Sequence, residues 1–164
     1  MVCLTAPLGE AEAAALPGSA LLYPLKVSDP ARPEIDLVRT VLAVDQQART
    51  MTFAGDMPEG WVAQLMRGTM DRLAAGAAEA ASQARGSAKV AGGQELAILV
   101  SCIGRKLLMG QRAEDEIEAA VSELGPSAAT FGFYSYGELA PHPANRGVEL
   151  HNQTMTVTLI SEAA

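Results

Sequence analysis

The spacing of apolar residues changes along the chain, and each change marks an element. ALLYPLKV (20–27) reads as a strand, with Pro24 placing it at an edge or a bulge. DLVRTVLAV (36–44) and RTMTFA (49–54) are β-rich runs joined by DQQA, a hairpin-length turn. GDMPEG (55–60) is a second turn and leads into WVAQLMR (61–67). These runs predict three or four strands in an antiparallel meander. The period then switches. In TMDRLAAGAAEAASQA (69–84) apolar residues recur at helical spacing, with Thr69 as N-cap and Asp71 in the first turn. The stripe is nearly all alanine, so this helix should lie close to its sheet.

QELAILVSC (94–102) is continuously apolar, as expected of a central strand covered on both faces. A helix follows with Ala113, Ile117, Ala120, Val121 and Leu124 on one side, acids at its start, and Gly125–Pro126 as its stop. ATFGFYSYGE (129–138) and VELHNQTMTVTLI (148–160) read as further strands, separated by a Pro/Asn/Gly loop. The predicted fold is α+β: a single mixed, mostly antiparallel sheet with two main helices. Residues 1–19, rich in Ala, Pro and Gly, read as a flexible tail or linker, and 20–164 as one domain.

Composition narrows the class. At 164 residues with 49% apolar content and a slightly positive mean hydropathy, the chain buries a core and is not disordered. Its formal charge of −7, without a basic cluster, excludes a phosphate-backbone surface, so no nucleic acid is expected. The longest apolar run, LAILVSCI, is far short of a membrane span, and no secretion signal is visible. Two cysteines and no C-x-x-C pair fit a cytoplasmic protein with reduced thiols.

Candidate chemistry gathers at FGFYSYGELAPH (131–142), which holds four of the chain's seven aromatic residues. Strand alternation puts Tyr134, Tyr136 and Glu138 on one face, a poor composition for a core and a good one for a pocket wall. SCIGR (101–105) closes the apolar strand and opens toward a helix, where α/β sheets tend to bind ligands. Arg105 suits a bidentate carboxylate clamp. Cys102 is either a small buried hydrophobe or a reactive thiol. His142, in a loop between two prolines, is expected to be exposed, while His151 and Asn152 enter the last strand. No G-x-S-x-G, Walker loop, dinucleotide fingerprint or H-E-x-x-H is present.

In order, SCIGRKLLMGQ, GFYSYGELAPH and ELHNQTMTVTLI resemble the C-terminal part of the FIST domain family, with GDMPEGWVAQLMRG similar to its upstream segment. The resemblance implies a cytoplasmic sensory module of signal-transduction proteins that binds small ligands such as amino acids. It also implies an N-terminal FIST half or a signalling partner, and in some relatives haem, for which His151 is the better axial ligand here. The expected ligand-binding set is Cys102, Arg105, Tyr134, Tyr136, Glu138, His151 and Asn152. In it Arg105 takes a carboxylate, Glu138 an ammonium, and the tyrosines form the wall. Two other classes stand beside this one: an enzyme using Cys102 with His151, and an interaction module docking through the 137–147 loop.

Overall fold

The computed structural model describes residues 11, 14–15, 18–88, 94–142, 144 and 147–162. Most of the expected tail at 1–19, residues 89–93 and part of the 137–147 loop fall outside these. In chain order the strands begin with β1 (Leu25–Asp29), β2 (Arg32–Arg39), β3 (Val41–Asp45), β4 (Thr50–Phe53) and β5 (Val62–Leu65). Helix α1 (Met70–Ser87) leads to β6 (Glu95–Cys102), α2 (Ile103–Met109), α3 (Ala113–Leu124), β7 (Ala128–Ser135) and β8 (Glu138–Pro141). The last strands are β9 (Val148–His151) and β10 (Met155–Ser161). The class is α+β as expected, but the strands divide among several small sheets instead of forming one.

Two compact units emerge: Met1–Gly68 with Pro141–Asn152, and Thr69–Ala140 with Gln153–Ala164. The first is built on β2-β1-β5, all antiparallel, with the β3–β4 hairpin beside it in sequence. Pro24 lies just before β1, which is the central strand and not an edge. The run expected as one strand at 36–44 breaks at Thr40, where β2 gives way to β3. Asp45 shapes the hairpin turn, its Oδ1 accepting from the amides of Gln47 and Ala48 at 2.9 Å each. Leu25, Val27, Leu37 and Val41 form the core, with Phe53, Trp61 and Leu65 packed around them.

The second unit orders its strands β10-β6-β7, antiparallel between β10 and β6 and parallel between β6 and β7. The parallel pair needs a crossover, and α2 and α3 supply it. Thr69 caps α1, its Oγ1 accepting from the Arg72 amide. Ala77 and Ala81 of α1 and Ala120 of α3 are fully buried, so the absence of longer side chains lets the helices approach closely. Leu99, Leu124 and Met155 complete this core, each side chain contributing about 1.5–3 kcal/mol by leaving water.

β6 is central, as its apolar run predicts, but only one face is covered. Ala97, Leu99 and Ser101 are buried on the helix side, whereas Leu96 on the other side is exposed. Its register neighbours on that side, Phe131, Phe133 and Ile160, are also more than half exposed. The expected strand 148–160 is two strands, interrupted where Gln153 adopts a positive φ of 54°.

Candidate functional site

β6 runs directly into α2, so Cys102 ends the strand and Arg105 sits one turn into the helix. That geometry turns the Arg105 side chain inward, where it is only 4% exposed. Its Nε donates to Glu116 Oε2 at 2.7 Å. Its other nitrogens donate to the carbonyls of Leu73 at 2.7 Å and Gln153 at 3.4 Å. One guanidinium thus ties α1, α3 and the approach to β10 together. Glu138, the other charged residue of the expected binding set, is not among its hydrogen-bond partners.

Glu116 is the centre of this cluster. It lies in register with Ala120 and Leu124, so its carboxylate belongs to the buried stripe of α3 and is fully enclosed. Its Oε1 accepts from Ser101 Oγ and from the Tyr134 hydroxyl, both at 3.0 Å. Burial, the neighbouring Glu116 charge and the bond to it push the Tyr134 phenol up to about 12. Its proton therefore stays in place. Lys106 sits over the Tyr134 ring, 4.9 Å from its centre.

Glu138 forms a second, smaller cluster. It is 2% exposed and accepts from Ser135 Oγ at 2.7 Å and Thr154 Oγ1 at 2.9 Å. Burial pushes its carboxyl above the usual range, against the pull of those hydroxyls and, last, the Arg105 charge. Burial likewise raises the Cys102 thiol, which is then a poor source of thiolate. β7 ends at Ser135, so the alternation assumed across 131–138 stops before Tyr136. Tyr136 stands 89% exposed in the turn, apart from the wall formed by Tyr134.

His151 and Asn152 belong to the first unit and are bound into it. The Asn152 amide donates to the carbonyls of Ala54 and His151 and accepts from the Thr40 amide. His142 is buried, not exposed. Its Nδ1 accepts from the Ala144 amide, which leaves Nε2 to donate to the Asp36 carbonyl at 2.9 Å. Its ring stacks parallel on His151, with 6.2 Å between centres. Among the described residues no group of three or more His, Cys, Asp or Glu is placed to hold a metal ion.

What sequence reasoning missed is a groove of about 290 Å³ in the second unit. Leu99 and Ser101 of β6, Thr130 to Tyr134 of β7, Met155 of β10 and Ile117 of α3 line it. Gly132 is required by the strand pairing: a Cβ there would meet the Leu99 carbonyl oxygen at 2.4 Å. The groove has an apolar floor of Leu99 and Met155, with the Thr130 hydroxyl at the start of its β7 wall and, further along, Ser101 and Tyr134, which lead to Glu116. A signal did exist in the sequence. An acid four residues before Ala120 and eight before Leu124 sits on the stripe that must be buried.

The second unit thus combines an α+β fold, a buried ionic hub and a small open groove. Residues 2–141 match the FIST C domain, and the chain belongs to that family. The match extends into the segment read as a tail and stops before the final strands, which the sequence resemblance had included. No curated protein and no solved structure matches the chain. Among the described residues no helix is long and apolar enough to cross a membrane.

Proposed function

We propose that this chain is the small-ligand-binding part of a sensory module in a signal-transduction protein, with the groove of the second unit as its binding site. Membership of the FIST C domain family supports the sensory role. The observation that carries the site is the groove's composition: an apolar floor of Leu99 and Met155 ending in two hydroxyls anchored to a buried carboxylate. Pockets with a few fixed polar groups on an apolar wall are suited to orienting small ligands.

The zwitterion clamp anticipated at Arg105 and Glu138 is replaced in this reading, because both side chains are engaged within the protein. In this reading the module acts without catalysis: Cys102 is held as a thiol, and the hydroxyls of Ser101, Ser135 and Thr154 are spent on carboxylates that are themselves buried. An N-terminal FIST half or a signalling partner reads the occupied state. Haem is left out of the binding mechanism.

Thermal-shift screening against amino acids, small neutral aromatic molecules and haem tests this. At least one small molecule should raise Tm, and Ile117→Trp, which fills the groove from a half-exposed position, should abolish the shift. A shift that persists in Ile117→Trp moves the site elsewhere. Turnover of ester, peptide or phosphate substrates that is lost in Cys102→Ala would replace the sensor with an enzyme.

A further inference from the structure

We propose that the groove selects small neutral molecules with a flat apolar body and a single N–H or O–H donor; this rests on the groove being the ligand site. Selection follows from where the protons at its polar end must point. The Glu116 carboxylate, paired with Arg105, can only accept hydrogen bonds. Ser101 and Tyr134 each have one hydroxyl proton, and each spends it on Glu116 Oε1. Both hydroxyls therefore meet a ligand with lone pairs alone. An incoming donor completes them, whereas an incoming acceptor finds no proton to take from these two, the other hydroxyl proton in the lining being that of Thr130 at the start of the β7 wall.

Charge argues for a neutral donor. Glu116 is already compensated by Arg105, and the Lys106 ammonium stands over the Tyr134 ring. An ammonium head would approach the Lys106 ammonium with no uncompensated anion at hand. A carboxylate would find no donor at the hydroxyls. The body is set by the lining: Gly132 contributes no side chain among the apolar Leu99, Ile117 and Met155, which suits a flat apolar ring. A site that hydrogen-bonds one donor discriminates strongly against an isostere lacking it.

Indole and benzofuran form the test, since they share a shape and differ in that one carries an N–H where the other has an ether oxygen. Titrations of the full chain, followed by amide shifts in ¹⁵N NMR, should move Leu99, Gly132 and Tyr134 with indole. Benzofuran should bind at least about tenfold more weakly. Ser101→Ala and Tyr134→Phe should each narrow that ratio, and Ile117→Trp should remove both responses. Equal binding of the two probes at these amides overturns the donor selection while leaving the groove as the site. Absence of shifts at these amides with either probe overturns both readings.

Discussion

Arg39 in the first unit and Arg105 in the second are equally buried, at 4% exposure, yet they are held differently. Arg39 donates to the carbonyls of Asp56, Val38 and Leu150, a set made entirely of backbone. Burial draws its pKa down, with Asp56 and Glu149 opposing from a distance. Arg105 instead meets a carboxylate with no exposure of its own. The first arrangement staples the turn at Asp56 to strands β2 and β9. The second creates a hub whose remaining hydrogen-bonding capacity faces a groove. A buried cation is thus tolerated either by neutral dipoles or by a counter-charge, and only the counter-charge recruits neighbouring hydroxyls.

The largest effect should come from separating the counter-charges. Arg105→Met leaves Glu116 buried and unpaired, at an expected cost of about 3–5 kcal/mol in urea unfolding. Replacing both residues, Arg105→Met with Glu116→Met, should recover most of that loss. Arg39→Met strands no opposite charge and should cost less, about 1–3 kcal/mol for carbonyls left unsatisfied. Equal costs for the two single variants would erase the distinction.

Two glycines sharpen the same contrast. A methyl group at Gly132 would collide with backbone, and Gly132→Ala should destabilise by about 1–3 kcal/mol while pushing β7 from β6. At Gly55 the nearest atoms belong to the Arg39 side chain, 3.1–3.3 Å away, which can shift. Gly55→Ala should therefore stay within about 1 kcal/mol. Thermal unfolding of the two variants side by side checks the order.

Acidity gives the smallest effect. Because the folded state raises the Glu138 pKa, it binds more protons than the unfolded chain between the ordinary carboxylate value and the raised one. This contribution is full below that window and is lost as pH rises through it. Glu138→Gln keeps an acceptor for the Ser135 and Thr154 hydroxyls and removes the titration. Its Tm should fall less than that of the unaltered protein as pH rises from the ordinary carboxylate range through that window. Parallel curves would show that Glu138 carries no such burden.

Periodicity made the helices legible: Met70–Ser87 and Ala113–Leu124 fall where alanine and leucine spacing put them. It failed where a strand bends out of its plane. Thr40 divides β2 from β3 and Gln153 divides β9 from β10, neither with a Gly or Pro to announce the break. The aromatic cluster pointed to the strand on which Tyr134 lines the groove, but alternation was carried past the strand end to Tyr136. Glu116 was read with its neighbours as an acid favoured by the helix N-terminus. Its position on the buried stripe separates it from Glu114 and Asp115.

β10 reaches the second unit only after the chain has left at Ala140 and returned at Gln153. On the ribosome β6 therefore emerges dozens of residues before the strand that closes one of its edges. Until Met155–Ser161 is made, the Ala97–Leu99 segment presents unpaired backbone beside apolar side chains. A stalled or truncated product would carry that sticky edge, so quality control in the cell has a clear feature by which to tell finished chains from unfinished ones.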